Sequence, residues 1–300
     1  IVEEPEHQRS VAALISQLPL LRTVFVLGET VAELRDAADG NPAVDVVAFD
    51  DFRSASAERD FEPRTGDELY ILYTGGTTGH PKGVMWRHDD FFHKPLSGGN
   101  PYGDARQDYD EIATAVKDFP SLAPLIAAPL MHGAASFLLF TFVCMGGRLI
   151  IQRDFDPARI VSAIPVEGVQ IILIVGDAMG MPLAEELERR KDEVDLSSLF
   201  SVTSGGAIWS QANRERFMAV KPDLLLRDNF GASESGNDGE IMMDEEGNLR
   251  VPPTDRMMVV DEKFNRIEPG SGELGYIARV GHVPLGYYKD EEKSARTFPT

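Results

Sequence analysis

Val169-Gln170-Ile171-Ile172-Leu173-Ile174-Val175 is apolar at every position but Gln170. A strand with one wet face alternates apolar and polar side chains. A run without that alternation reads as a strand covered on both faces, as in the interior of a parallel sheet. Just upstream, Asp156-Pro157 makes an N-cap and first-turn pair for a helix whose apolar stripe is Ile160, Val161 and Ile164. Before it, Arg148–Gln152 reads as a strand. Downstream the cycle repeats with a strand at Leu199–Thr203, a helix from Ser210 to Val220 and a strand at Leu224–Leu226.

The same alternation extends toward the N-terminus. Thr23–Leu27 is a short β-rich run, and Thr30 with Glu33 three residues later has the form of a capping box. Leu69–Tyr73 and Gly83–Trp86 read as two strand arms around a Gly/Thr-rich turn, and Asp89–Lys94 as a helix start. Ser97–Asp110, rich in Gly, Asp and Tyr, reads as a surface excursion. Strands alternating with helices predict an α/β fold, a mostly parallel sheet flanked by helices. Near Gly236 the texture changes to short strands and turns such as Pro269-Gly270-Ser271-Gly272. Residues 1–236 are therefore expected to be α/β and residues 237–300 a smaller β subdomain.

The chain carries 49 acidic against 29 basic residues, a formal net charge of −20. That balance argues against a nucleic-acid surface, which needs clustered Lys and Arg, and against docking on anionic lipid. An anionic ligand must be held by local donors. Cys144 is the only cysteine, so no internal disulfide forms, and a reducing cytoplasm is expected. Ser121–Gly147 lacks Asp, Glu, Lys and Arg, but Pro124, Pro129, His132, Gly133, Gly146 and Gly147 divide it into a loop, a core helix and a strand rather than a membrane span.

The strongest functional signal is Thr74-Gly75-Gly76-Thr77-Thr78-Gly79-His80-Pro81-Lys82-Gly83, directly after a strand. Glycines let backbone N–H groups approach phosphate oxygens, the threonine hydroxyls add donors and Lys82 adds a positive charge. It is not a Walker A loop, because no Gly-Lys-Ser/Thr closes it. The segment resembles the phosphate-binding signature of the adenylate-forming (AMP-binding) superfamily: acyl- and aryl-CoA synthetases, luciferases and peptide-synthetase adenylation domains. Thr74-Gly75 stands where many members have two hydroxyl residues. The flanking Leu72-Tyr73-Thr74 and Gly83-Val84-Met85-Trp86-Arg87-His88 look most like bacterial fatty-acyl CoA ligases.

Three further segments follow in the family's order. Pro129-Leu130-Met131-His132-Gly133-Ala134 resembles the stretch whose His lies beside the acyl carboxylate and α-phosphate. Thr203-Ser204-Gly205-Gly206-Ala207 resembles the strand end that lies flat against adenine, although alone it is equally a plain strand-to-helix turn. Asp228-Asn229-Phe230-Gly231-Ala232-Ser233-Glu234-Ser235-Gly236 resembles the aromatic-Gly-x-Thr-Glu motif. The resemblance implies that Phe230 stacks on adenine, Ser233 meets the α-phosphate and Glu234 holds Mg²⁺, a hard cation that favours carboxylate oxygen. A softer match, Gly272-Glu273-Leu274 with Gly286-Tyr287-Tyr288-Lys289-Asp290, resembles the stretch before the family's ribose-binding aspartate.

The resemblance implies His132, Lys82, Ser233 and Glu234 as catalytic residues. It implies nucleotide binding by Thr74, Gly75, Gly76, Thr77, Thr78, Gly79, Lys82, Gly205, Gly206, Ala207, Asn229, Phe230, Gly231 and Ser233. The implied reactants are ATP with Mg²⁺, a carboxylic acid and coenzyme A: acyl-AMP forms first, then a thioester. Phe137, Val175, Gly176 and Ala178 are expected to line the acid pocket. They are apolar or small, with Asp177 next door, which favours a fatty, steroid-side-chain or aryl acid over an amino acid. The early N-terminal part, the hinge and the small domain with the family's catalytic lysine are expected to lie outside these 300 residues, leaving the piece poorly active alone. A carrier-protein thiol as acceptor and a non-catalytic nucleotide-binding module are the alternatives. His88-Asp89-Asp90-Phe91-Phe92-His93 has metal-ligand residue types, but its histidine spacing of five suits no helical pair, so it reads as a helix start with favourable aspartates. Glu185, Glu188 and Lys191 read as a solvated helix face.

Overall fold

A computed structural model of the chain describes residues 1–53, 62–75, 80–118, 121–243, 249–251 and 256–299. The chain divides into two compact units, 1–63 and 64–300. The first holds α1 (Pro5–Leu14), β1 (Thr23–Val26), α2 (Ala32–Asp39), β2 (Asp45–Ala48) and α3 (Phe49–Arg53). Strands β1 and β2 pair in parallel around a core of Ile15, Val24, Val26, Leu34 and Val44. The capping box expected at Thr30 and Glu33 does not form. Val31 is the N-cap of α2 and has no side-chain cap; its own N–H donates to Oε1 of the buried Gln8 at 3.0 Å.

The second unit runs β3 (Leu69–Thr74), β4 (Lys82–Arg87), α4 (His88–His93), α5 (Asp110–Asp118), β5 (Pro124–Ile126), α6 (Gly133–Cys144), β6 (Ile150–Ile151), α7 (Pro157–Glu167), β7 (Ile171–Ile174), α8 (Gly176–Arg190), β8 (Ser201–Gly205), α9 (Gln211–Val220), β9 (Leu225–Ala232) and β10 (Gly236–Glu240). It continues with β11 (Met242–Met243), β12 (Leu249–Arg250), β13 (Met257–Val260), β14 (Tyr276–Arg279), β15 (Gly286–Tyr287) and α10 (Glu291–Thr297). Its main sheet has the order β10-β9-β8-β7-β5-β6 and is parallel from β9 to β6, as expected, with β10 antiparallel at one edge. A second sheet, β15-β4-β3, is antiparallel. No helix among the described residues is long and apolar enough to cross a membrane.

The strand read from 169–175 forms over Ile171–Ile174 and is buried throughout. Its two faces do different work. Ile172 and Ile174 join Ile160, Ile164, Leu183, Leu187 and Phe217 of α7, α8 and α9 in the large core. Ile171 and Leu173 point the other way, and Ile171 packs on Phe142 of α6. Asp156 caps α7 as its sequence predicts, accepting from the N–H groups of Ala158 and Arg159 at 2.9 and 3.2 Å. Ser210 likewise caps α9. The expected boundary at Gly236 meets a continuous hairpin, since β10 pairs with β9 in the main sheet. Glu185 and Glu188 are not merely solvated. Both reach Arg216 of α9 and tie α8 to it.

Ser97–Asp110 is exposed over most of its length, as expected of a surface excursion, but its root is buried at Gly98, Gly99 and Arg106. Gly98 and Gly99 take positive φ, which lets the backbone turn beneath Cys144.

Candidate functional site

A cavity of about 410 Å³ opens between α6 and the sheet face that carries Ile171 and Leu173. Its rim is formed by segments far apart in sequence. Thr74 and Gly75 end β3, Gly205 and Gly206 end β8, Asn229 to Ser233 end β9, and His132 and Gly133 begin α6. The sequence-predicted residues Thr74, Gly75, His132, Gly205, Gly206, Asn229, Phe230, Gly231 and Ser233 thus share one cavity. Lys82, Ala207 and Glu234 are not on its wall, and Gly76, Thr77, Thr78 and Gly79 lie outside the described residues.

Parallel strands leave their carboxyl ends at one edge, and helix N-termini come to the same edge. Here α6 points its N-terminus at the rim. His132 is its N-cap, with no side-chain cap, and the first helical return bond runs from Ser136 N–H to His132 O at 3.0 Å. The N–H groups before Ser136 therefore have no partner within the helix, and their end of the dipole is positive. A Cβ added to Gly133 would stand 3.3 Å from Ser233 Oγ, so the helix start and that hydroxyl are immediate neighbours. Between α6 and the sheet, Phe137, Leu138, Phe142, Leu173 and Val175 supply apolar wall, with Thr141, Ser201, Thr203 and Arg227 among them.

Several details sharpen the rim. At Gly205 an added Cβ would meet its nearest protein atom, Asn229 O, at 3.4 Å, an ordinary contact, so packing does not demand a glycine there. Gly206 has open space around it and a φ of +86°, which does favour glycine. The Asn229 amide spends its donors inside the fold, on Thr203 Oγ1 at 2.7 Å and Ser204 O at 3.1 Å. Gly176 and Ala178 do not line the cavity. Gly176 is pressed against Ile208 O, 2.6 Å from where a Cβ would stand, and Ala178 is exposed. Asp177 is also spent elsewhere, accepting from Ser210 N–H and Asn213 Nδ2 at 3.0 Å each.

Beside the cavity, Tyr287 gathers the charged residues. Its hydroxyl donates to Glu234 Oε1 at 2.8 Å, and Lys82 Nζ lies 5.5 Å from its ring centroid. Lys82 pairs across the sheet with Thr74, which lines the cavity, so the cation stands next to the rim. Burial, and then the bond to Glu234, push the Tyr287 phenol up to about 12, so it remains a donor at neutral pH. Glu234 Oε2 meets no donor among the described residues and is available to a hard cation. The loop bearing Ser233 and Glu234 is also held by Trp86, whose Nε1–H donates to Ser233 O at 2.9 Å.

With this geometry in place, the comparisons with known proteins give the family. The model of the AMP-binding enzyme family matches residues 4–288. This chain belongs to that family. It is 36% identical over 308 residues to a 3-oxocholest-4-en-26-oate–CoA ligase of Rhodococcus rhodochrous, covering 99% of this chain and 54% of the relative. It is 35% identical over 309 residues to a medium/long-chain-fatty-acid–CoA/3-oxocholest-4-en-26-oate–CoA ligase of Mycolicibacterium smegmatis, covering 100% of this chain and 55% of the relative. The chain thus spans about half the length of these relatives. Among solved structures, the N-terminal domain of FACL13 from Mycobacterium tuberculosis shares its fold, with a TM-score of 0.68 at 21% identity over 92% of this chain and 68% of that one.

Sequence motifs of AMP-binding enzymes missed three residues that the fold brings to the site. Tyr102 and Arg227 line the cavity, with the guanidinium 5.6 Å from the Tyr102 ring centroid, and Tyr287 joins Lys82 to Glu234. The 88–93 segment forms α4 with Asp89 and Asp90 in its first turn. Asp89, Asp90 and His282 offer ligand atoms within 4.8 Å of one another. Those carboxylates already have partners: Asp90 takes Arg87 and His282, and Asp89 takes Tyr109 and faces His93. They read as an ion-pair network between α4 and the loop that carries His282.

Proposed function

We propose that the full-length parent of this AMP-binding enzyme joins an apolar carboxylic acid to AMP at the expense of ATP and passes the acyl group to coenzyme A. The observation that carries this reading is the two-part cavity. Hydrogen-bond donors and a helix N-terminus crowd its rim, while Phe137, Leu138, Phe142, Leu173 and Val175 give the part between α6 and the sheet an apolar surface beside Thr141, Ser201 and Thr203. The rim suits an α-phosphate and a carboxylate, both anions that favour a helix N-terminus. The depth suits a hydrocarbon tail. The relatives named above as ligases of fatty and steroid-side-chain acids support the same substrate class.

In this reading Phe230 stacks on adenine and Gly205, Gly206 and Ala207 leave room for the ring. The loop Thr74 to Gly79 and Lys82 bind phosphate oxygens. The carboxylate attacks the α-phosphorus, pyrophosphate leaves, and charge on the phosphorus oxygens is met by Ser233 Oγ, His132 and the free N–H groups of α6. Glu234, oriented by Tyr287 with Oε2 available, would hold Mg²⁺, which when bound neutralises phosphate charge. Excluding water from the apolar depth keeps the acyl-AMP from hydrolysis before the thiol of coenzyme A attacks. A cytoplasmic setting, which supplies ATP and coenzyme A and suits the unpaired Cys144, fits this reading.

Pyrophosphate release by the full-length parent, followed with a coupled phosphate assay, tests the proposal. Release should depend on added fatty or steroid-side-chain acid, and thioester should form with coenzyme A. Release with no acid dependence across fatty, steroid and aryl acids would sink it. Thioester formed only on a carrier protein would reassign the acceptor.

A further inference from the structure

Lys82 and Lys293 arrive at one aromatic ring from distant parts of the chain. Lys82 opens β4 and Lys293 lies in the first turns of α10, yet their ammonium groups stand 5.5 and 5.6 Å from the Tyr287 ring centroid. Backbone locks hold both stems. Strand β15 pairs with β4, Asp290 Oδ1 accepts from Lys293 N–H at 3.1 Å, and Ser294 Oγ accepts from Tyr287 N–H at 2.8 Å while donating to Asp290 O at 2.6 Å. The two cations are therefore brought together by the fold and not by chance contact of free side chains.

Their surroundings are unusual for so acidic a chain. With 49 carboxylates available, neither ammonium forms an ion pair with any described residue. The Lys293 ammonium, and next burial, hold Lys82 below the ordinary lysine value, as expected of two like charges in close company. Attraction to the Tyr287 ring offsets part of that repulsion and fixes both heads near one place. The Asp290 carboxylate is near enough to act on Lys82 but makes no ion-pair contact with it, and two adjacent cations so placed match a ligand with two adjacent negative groups. The Glu234 carboxylate on the same tyrosine supplies the position for a divalent cation that polyphosphates carry.

We propose that Lys293 is a second phosphate-binding cation, which with Lys82 forms a site for pyrophosphate, whether as the β- and γ-phosphates of bound ATP or as the leaving group. The identity of the occupant rests on the adenylating reading above, whereas the anion site rests on the paired lysines. A monocarboxylate would satisfy only one of them. AMP, whose single phosphate is assigned above to the α6 end of the rim, has no further phosphate to offer the pair.

Titration calorimetry on this chain with magnesium pyrophosphate and, separately, AMP tests the inference. Lys293→Ala should weaken pyrophosphate by roughly tenfold or more, the loss of one charge-assisted contact. Lys293→Glu should weaken it further, Lys293→Arg should largely restore it, and AMP affinity should stay unchanged in all three. Equal pyrophosphate affinity in wild type and Lys293→Ala, or no pyrophosphate binding by wild type, overturns the site. Loss of AMP and pyrophosphate together, unrescued by Lys293→Arg, assigns Lys293 a structural role and overturns it as well. Pyrophosphate weakened by Lys293→Ala in a chain that never binds AMP would keep the cation site and remove the adenylating reading.

Discussion

Replacing Tyr287 by Phe removes one oxygen from a side chain that is 5% exposed and leaves its ring, and hence its packing, in place. What is lost is the hydroxyl donated to Glu234 Oε1 at 2.8 Å. A hydrogen bond to a charged acceptor contributes about 1.5–3 kcal/mol, and no cavity term is added because the ring is unchanged. The phenol is raised from 10.0 to about 12, first by burial and then by Glu234, which sets the direction of the pH dependence but assigns only part of the rise to the bond.

The sign follows from which state loses its proton first. Below pH ~10 the phenol is protonated in both the folded and unfolded chains, and its contribution is fully present. Between ~10 and ~12 the unfolded chain ionises while the folded one does not, so folding stability falls as pH rises through that window. Urea unfolding of wild type and Tyr287→Phe from pH 7 to pH 11 reads both effects. The variant should be less stable by about 1.5–3 kcal/mol at pH 7, and the gap should shrink steadily above pH ~10. Equal stability at pH 7 would refute the Tyr287–Glu234 bond, and a gap that stays constant to pH 11 would refute the raised phenol. Looser magnesium-dependent ATP binding by the variant, with AMP affinity retained, would tie the same bond to the orientation of Glu234.

Gly231→Ala places a methyl group inside contact distance of Gly236 O in the β9–β10 hairpin and should cost about 2–3 kcal/mol, measured by denaturant titration. Asp156→Ala removes the acceptor for Ala158 and Arg159 N–H and should cost about 1 kcal/mol, with nucleotide binding untouched. Val175→Phe fills the apolar depth; in the full-length parent it should raise the acid KM several-fold while leaving AMP affinity unchanged.

What the sequence reveals and conceals follows from the range of the interactions involved. The strand at Ile171–Ile174 and the cap at Asp156 are set by neighbours within a few residues, so their signals are local and survive into the structure. The failed box at Thr30 is the opposite case. Its place is taken by Gln8, 23 residues earlier, whose side chain satisfies Val31 N–H from outside the helix. Ser97–Asp110 is at the surface as its glycine and polar residues suggest, except at its root, where Gly98 and Gly99 serve a buried turn and Arg106 donates to Gly99 O. The motif residues of the rim were legible as short strings after strands. Lys293 was not, and Tyr287 lay in a quoted segment without a role, because only the pairing of β15 with β4 brings them beside Lys82.

That long-range pairing also explains how a short loop can hold two side chains of the proposed site. Ser233 and Glu234 lie between β9 and β10 at an edge of the main sheet, where a hairpin would ordinarily be mobile. Here its carbonyl is held by Trp86 of β4 and its carboxylate by Tyr287 of β15, both from the second sheet. Its exit is fixed by Asp238, buried and paired with Lys94 at 3.2 Å and Arg279 at 2.7 Å. Removing either cation would leave a buried carboxylate less well compensated, so these pairs serve position more than net stability. The antiparallel sheet thus acts as a brace. It brings β3, β4 and the Ser-Glu loop together beside the lysine pair, which the parallel sheet alone does not do.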